Sequence, residues 1–301
     1  MKHLLKLSDW SAEEITEALA LADRLKYEKK HGIPHPLLAG QTLGMIFEKS
    51  STRTRVSFEV GIRDLGGAGL FLSSRDLQIG RGEPVADTAR VLSRYLDGIM
   101  IRTYAQEEVE SLASYGSIPI INGLTDYCHP CQVMADLQTI REYKGGFSGR
   151  KLCFIGDGNN MANSLIVGGI KMGMSVAVAC PAGHRPDAGI LTWAAASGRF
   201  LCTGKVEEAA ADADVLYTDV WASMGQEAEA EARKQVFANY RIDGSVMAAA
   251  RPDAIVMHCL PAHRGEEITA EIFESQANVI FDEAENRLHA QKAIMALCMG
   301  R

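Results

Sequence analysis

The stretch Thr42-Leu-Gly-Met-Ile-Phe47-Glu-Lys-Ser50-Ser51-Thr52-Arg53-Thr54-Arg55 passes from one pattern into another. Residues 42–47 form a short apolar run, as a strand buried on both faces requires. From 53 to about 65 the spacing becomes helical, so the stretch reads as strand, hydroxyl-rich turn and helix. The same alternation extends outward from it. Strands are expected at 68–72, 98–101 and 118–121, with helices at about 84–95 and 105–114. The second half repeats the pattern, with strands at 151–155, 175–179, about 200–203, 214–218, 254–258 and 278–281. Strands that alternate with helices imply parallel sheets covered on both faces, an α/β chain of two doubly wound domains. Residues 129–143 read as a longer helix that ends at Gly145-Gly146 and connects the domains, and the tail from Glu283 to Met299 is also helical. Ahead of the first strand, Ser11 and Glu14 form a capping box, with Trp10 placed to staple onto Ile15.

The length, 301 residues, suits two domains, and 47% hydrophobic with 23% charged residues predicts a packed core. The formal charge of −7 argues against nucleic-acid binding, which needs a basic surface, but allows a small anion held by a few arginines. No apolar run approaches a membrane span, and Met1 to Trp10 lack the apolar centre of a signal peptide. Seven cysteines, an odd number in a chain this long, read as reduced cytoplasmic thiols rather than a disulfide framework.

In doubly wound folds ligands bind beyond the carboxyl ends of the strands, so the residues there carry the chemistry. Ser50 to Thr54 offer hydroxyls and free N–H groups at a helix N-terminus, a natural anion seat. Arg53 and Arg55 in that first turn oppose the helix dipole, and a bound phosphate reverses the sign of that effect. Arg102 ends the strand at 98–101 and is a second candidate anion ligand. His129 and Gln132, in His129-Pro-Cys-Gln132, share one face at a helix start, where they suit a carbonyl compound. Cys128 and Cys131 admit a competing reading as a redox pair, and no second C-x-x-C accompanies them to make a zinc site.

Gly156-Asp-Gly-Asn-Asn160-Met161 imitates a dinucleotide fingerprint, but Met161 replaces its third glycine and no acid follows the next strand, so NAD is rejected. Asn159 and Asn160 instead offer amides for a carboxylate or amine. Asp219, after the strand at 214–218, can anchor an ammonium group, with Ser223-Met224-Gly225 in the loop beyond it. Cys259, in His258-Cys-Leu-Pro261, is a thiol at another ligand-facing strand end.

These motifs together resemble those of the carbamoyltransferases, in the order in which that family carries them, from near the N-terminus to Glu285-Asn-Arg-Leu-His289. Ser51-Thr52-Arg53-Thr54 looks like the carbamoyl-phosphate motif and His129-Pro-Cys-Gln132 like the second signature. Asp219, Ser223-Met224-Gly225 and His258-Cys259-Leu260-Pro261 are similar to the motifs of members that use ornithine. The resemblance implies a carbamoyl-phosphate domain over residues 1–140, an ornithine domain over 141–284, and a last helix, about 285–301, that packs back on the first. It implies transfer of a carbamoyl group to the δ-amine of L-ornithine, giving L-citrulline and phosphate, a step of arginine biosynthesis.

By the same resemblance Ser51, Thr52, Arg53, Thr54, Arg102 and a neighbouring subunit's Gln78 hold the phosphate, and Arg287 supports the carbamoyl-phosphate site from the last helix. Thr54, Arg102 and His129 face the carbonyl oxygen, and Gln132 with the carbonyls of Cys259 and Leu260 grips the carbamoyl NH₂. Asp219 holds the α-ammonium of ornithine, Asn160 and the backbone near Met224 its α-carboxylate, Ser223 lies beside them, and Cys259 orients the δ-amine. The resemblance implies a cytoplasmic homotrimer with shared active sites that needs no metal or organic cofactor, because carbamoyl phosphate already carries its leaving group. Aspartate, N-acetylornithine and putrescine are the rival acceptors, and a dithiol oxidoreductase using Cys128 and Cys131 is the rival outside the family.

Overall fold

The computed structural model describes residues 1–74, 77, 82–222 and 229–300. They fall into two compact units, the first comprising residues 1–135 and 286–301 and the second residues 136–285. The chain passes between them within two helices, α5 (Pro130–Lys144) and α12 (Ala277–Met299).

In the first unit a single 3-10 turn, Leu7–Asp9, precedes α1 (Ala12–Lys30). The Ser11 hydroxyl accepts from the Glu14 N–H at 3.2 Å, and the Ser11 N–H donates to the Glu14 carboxylate at 2.8 Å, which is the capping box the sequence predicts. Then follow β1 (Thr42–Phe47), α2 (Thr52–Asp64), β2 (Ala68–Ser73), α3 (Val85–Leu92), β3 (Gly98–Arg102), α4 (Gln106–Tyr115) and β4 (Ile120–Leu124). The four strands are parallel in the order β2-β1-β3-β4. Strands β1 and β3 are buried almost throughout, which is why each reads as a continuous apolar run.

The second unit contains β5 (Lys151–Ile155), α6 (Asn160–Lys171), β6 (Ser175–Ala179), α7 (Ala188–Ala195), β7 (Phe200–Thr203), α8 (Val206–Ala210) and β8 (Val215–Thr218). After them come α9 (Ala230–Phe237), α10 (Gly244–Ala249), β9 (Ile255–His258) and α11 (Ala270–Ser275). Its five strands are parallel in the order β7-β6-β5-β8-β9. Both sheets therefore reverse their winding once, between β1 and β3 in the first unit and between β5 and β8 in the second. In open α/β sheets such a reversal opens a crevice beyond the carboxyl ends of the two strands, where ligands bind.

Two expectations are corrected. Residues 278–281 are not a strand but the first turn of α12. Their apolar run is short, and Ile280 and Val279 join a buried face that continues through Ile294 and Met295 at helical spacing. The strand expected at 118–121 lies at 120–124, because Pro119 has no N–H for the ladder and only its carbonyl pairs, with Ile99. No helix among the described residues is long and apolar enough to cross a membrane.

Lys292 is fully buried in α12, with Nζ 3.2 Å from the Leu25 carbonyl, 3.1 Å from His35 Nε2 and 3.7 Å from Asp64. Burial lowers its ammonium to about 8 despite the opposing pull of Asp64. Between pH 8 and 10.5 the unfolded chain thus binds the proton that the folded chain has released, so stability rises with pH across that window and falls as pH drops through 8. Thermal melts across that range are expected to show a rise in Tm for the native chain that Lys292→Met loses. An identical rise in both would assign the effect to other groups.

Candidate functional site

In the first unit the sequence-predicted residues converge at the β1/β3 reversal. Ser51 is the N-cap of α2 and accepts from the Thr54 N–H at 3.2 Å. The Ser51 hydroxyl also donates to Thr54 Oγ1 at 3.1 Å, and Arg287 Nη2, from α12, donates to the same oxygen at 2.9 Å. Thr52 is exposed, Arg53 half-buried, and Thr54 fully buried. Arg102 is buried at the carboxyl end of β3, directly across the ladder from Phe47, so it lies beside the turn that carries Ser51.

His129 precedes α5 and Gln132 lies in its first turn, both buried. Burial, then the charges of Arg287, Arg102 and Arg53, hold His129 well below the usual imidazole range. It is therefore neutral at physiological pH, a hydrogen-bonding group amid three cations rather than a fourth charge. Three guanidinium groups around one buried histidine repel one another, and an anion among them would turn that repulsion into attraction. Arg55 is not part of this group. It is exposed, lies 3.8 Å over the Phe71 ring and pairs with Glu59 at 3.5 Å. Gln78 lies outside the described residues.

In the second unit the residues gather at the β5/β8 reversal and beside β9. Gly158 follows β5, and a Cβ there would stand 2.2 Å from the Pro186 nitrogen, so the turn admits only glycine. That turn presents Asn159, which caps α6 by accepting from Met161 and Ala162 N–H groups at 2.9 and 3.2 Å. The other end of the Asn159 amide donates to Asp219 at 3.0 Å. Asp219 is buried at the end of β8 and also accepts from its neighbour Val220 N–H at 2.8 Å and from the Cys259 thiol at 3.1 Å. Burial, then the Asp219 carboxylate, pushes the Cys259 thiol well above its ordinary range, so it is a protonated donor and not a thiolate. Asn160 opens α6 and is half-buried. Ser223 and Met224 lie outside the described residues.

Sequence reasoning missed the group that fixes the turn after β9. The Leu260 N–H donates to His258 Nδ1 at 2.9 Å, which leaves the proton on Nε2 to bond Glu267 at 3.0 Å. The His258 N–H donates to buried Glu283 at 2.8 Å, as does the Tyr217 hydroxyl at 3.0 Å. Leu260 sits at φ 59°, a left-handed conformation that a non-glycine residue adopts only when its surroundings enforce it. A nearby pair was likewise invisible: Arg233, in α9, bonds both the Trp221 carbonyl and the Asp157 carboxylate, tying the turn after β8 to the turn after β5.

The two cysteines of the C-x-x-C stretch do not face each other as a redox pair. Cys128 Sγ donates to the Leu5 carbonyl at 3.6 Å, whereas Cys131 Sγ donates to the Asn122 carbonyl at 3.2 Å. Burial pushes the Cys128 thiol up to about 12 and Cys131 higher still. Replacing both with alanine is expected to leave turnover within about twofold of native while lowering Tm, since it removes buried volume and two thiol hydrogen bonds but no group assigned to the chemistry. Loss of turnover in a folded double variant would restore the redox reading.

With this geometry in view, the comparisons with known proteins are consistent across the chain. Residues 2–142 match the carbamoyl-P binding domain of aspartate/ornithine carbamoyltransferase, and residues 148–298 match its Asp/Orn binding domain. The chain is similar to ornithine carbamoyltransferase of Pelobacter propionicus, 57% identical over 99% of both chains. It is also similar to the anabolic ornithine carbamoyltransferase of Pyrococcus furiosus, 53% identical over 99% of this chain and 96% of that one. Among solved structures, an ornithine carbamoyltransferase from Pyrococcus furiosus superposes with a TM-score of 0.95 at 53% identity, covering 99% of this chain and 97% of that chain. The anabolic enzyme of Campylobacter jejuni superposes with a TM-score of 0.93 at 43% identity, covering 99% of each.

Proposed function

The chain belongs to the aspartate/ornithine carbamoyltransferase family, and from that membership we infer that it transfers the carbamoyl group of carbamoyl phosphate to the δ-amine of L-ornithine, giving L-citrulline and phosphate. The observation that carries the first half of the reaction is the gathering of Arg53, Arg102 and Arg287 around a neutral, buried His129 beside the Ser51-capped helix. Ser51, Thr52, Arg53 and Thr54 take the phosphoryl oxygens from the N-terminus of α2. Arg102 and His129, with Thr54, turn donors toward the carbonyl oxygen, which gains negative charge as the amine attacks. Arg287 supports the site through its bond to Thr54. The amide of Gln132 takes the carbamoyl NH₂.

The acceptor must attack as a neutral amine. A lysine-like δ-amine with pKa ~10.4 costs roughly 4–5 kcal/mol to deprotonate at pH 7. Among the described residues Cys259 is a protonated thiol and His129 an imidazole whose basicity is held well below the ordinary range, so neither is a strong base, and the enzyme selects the neutral amine rather than abstracting its proton. Asp219 holds the α-ammonium and Asn160 the α-carboxylate, while the Cys259 thiol, fixed by its bond to Asp219, orients the δ-amine. An anionic anchor suits a cationic amino acid and repels the side-chain carboxylate of aspartate. Two relatives are named anabolic, which supports citrulline formation, the arginine-forming direction, as the working one.

A panel assay tests this reading. Carbamoyl phosphate is supplied with ornithine, aspartate, N-acetylornithine or putrescine, and the carbamoylated product is quantified. Product is expected with ornithine at a kcat/KM at least 100-fold above the others. Preference for any other acceptor overturns the assignment.

The protein acts in the cytoplasm as a homotrimer, with Gln78 completing a neighbour's site. Support for self-association comes from the edge strand β2, where Leu70 and Phe71 are 48% and 37% exposed, and from Val56 in α2, 53% exposed. An open apolar edge of this kind invites a partner. Leu70→Lys with Phe71→Glu is expected to give a folded monomer by light scattering, with turnover lost. A trimer that survives both changes removes β2 from the interface.

A further inference from the structure

Of the three thiols in the second unit that the proposed chemistry does not use, Cys153 is buried within its sheet, and Cys180 and Cys202 lie side by side. Cys180 directly follows β6, and Cys202 lies in β7, the edge strand of its sheet. Their sulfurs stand 4.0 Å apart, with Cys180 buried and Cys202 half-buried. The register decides what this pair suits. In the parallel β6/β7 ladder Val178 faces Cys202 and Ala179 faces Thr203, and the Cys180 N–H continues the ladder to the Thr203 carbonyl at 3.1 Å. Cys180 is thus two residues beyond the partner of Cys202, on the same face and diagonal to it.

Diagonal neighbours have backbones about 7–8 Å apart. A disulfide spans Cα atoms usually 4.4–6.8 Å apart and brings the sulfurs to about 2.05 Å. Bridging these two thiols directly would therefore require the strands to move. An ion bridge would not. Zinc bound tetrahedrally with sulfur distances of about 2.3 Å holds two thiolates ~3.8 Å apart, within a few tenths of an ångström of the spacing found. The half-buried Cys202, on the open edge, gives an ion a way in from solvent.

We propose that Cys180 and Cys202 form a binding site for one thiophilic divalent cation of the zinc class, held by both sulfurs with water in its remaining positions. Two sulfur–metal bonds form as the two S–H bonds break, and both protons pass to solvent. The two thiolates then balance the charge of the ion. The site is separate from Asp219, His258 and Cys259, whose potential ligand atoms also lie within 4.8 Å of one another; Asp219 and Cys259 belong to the proposed acceptor site, and the His258 ring bonds Leu260 and Glu267.

The test titrates the full-length protein with Cd²⁺, read through the ultraviolet thiolate-to-cadmium charge-transfer band, and with Zn²⁺ in competition with a chromophoric chelator. One equivalent is expected to bind with the band intensity of two thiolates. Cys202→Ser, at a half-buried position, is expected to keep the fold and to weaken binding at least tenfold, and a folded Cys180→Ser variant to do the same. Cys259→Ser is expected to leave the band unchanged. Absence of a band in the native protein at millimolar Cd²⁺, persistence of the full band in Cys202→Ser, or its loss in Cys259→Ser each overturns the proposal. So does rapid formation of a Cys180–Cys202 disulfide under mild oxidation, found by peptide mass mapping, because it would show that the sulfurs close without an ion.

Discussion

Replacing Arg102 with alanine is expected to lower kcat/KM for carbamoyl phosphate by about 10³-fold, the range found when one donor to a developing oxyanion is removed. The guanidinium also loses its charge-assisted contact with the phosphate, worth roughly 1.5–3 kcal/mol. Two further readouts separate this role from a structural one. Removing one of three like charges around His129 offsets part of the cost of emptying a buried position, so the variant should stay folded at the assay temperature. Inorganic phosphate should raise the native Tm by binding only the folded state, and that shift should shrink or vanish in the variant. His129 provides the third measurement: with one of the cations that depress it removed, its imidazole should titrate closer to the ordinary range, visible by NMR. Arg102→Lys keeps the charge but not the planar fork, and is expected to recover only part of the loss. Native turnover by Arg102→Ala at limiting carbamoyl phosphate would falsify the assignment.

The residues that make Arg102 important were legible because they lie within short motifs at strand ends. A hydroxyl-rich turn between an apolar run and a helix carries its own meaning, since a helix N-terminus with arginines in its first turn is electrostatically odd until an anion is added. The alternation of strands and helices was equally legible, because parallel strands buried on both faces must be written as apolar runs. Other features were not legible, for reasons of distance. Tyr217, His258, Glu267 and Glu283 form one hydrogen-bonded group, yet Tyr217 and Glu283 are 66 residues apart in the chain. Nothing local marks a buried glutamate as the partner of a distant tyrosine. Cys180 and Cys202 were silent for the same reason, because a diagonal pair across two strands leaves no spacing rule. The misread 278–281 shows the opposite limit: four apolar-rich residues are too few to distinguish a strand from a helical turn, and only the burial of the following turns decides.

The second large effect is expected at Asp219. Its carboxylate collects the Asn159 amide, the Val220 N–H and the Cys259 thiol, at 3.0, 2.8 and 3.1 Å. A buried acid that satisfies three donors and meets an ammonium is doing two jobs, and the two variants Asp219→Ala and Asp219→Asn separate them. Alanine removes both the charge and the acceptor. Leaving the ammonium of ornithine buried without its counter-charge costs about 3–5 kcal/mol, so kcat/KM for ornithine should fall by about 10²–10³-fold or more. Asparagine keeps the shape and one acceptor oxygen, so the Asn159 cap and the turn after β8 should persist, whereas the charge is gone. If Asp219 acts chiefly as the counter-charge, asparagine should be nearly as damaging as alanine, with the loss in the KM for ornithine and little change in that for carbamoyl phosphate. If it acts chiefly by fixing Cys259, asparagine should recover most of the activity, and Cys259→Ala should reproduce the alanine defect. The neutral variant also makes a prediction about specificity. N-acetylornithine has no α-ammonium, so its disadvantage against ornithine should narrow in Asp219→Asn because only ornithine loses an ion pair. An unchanged ratio between the two acceptors would place the ammonium somewhere other than at Asp219.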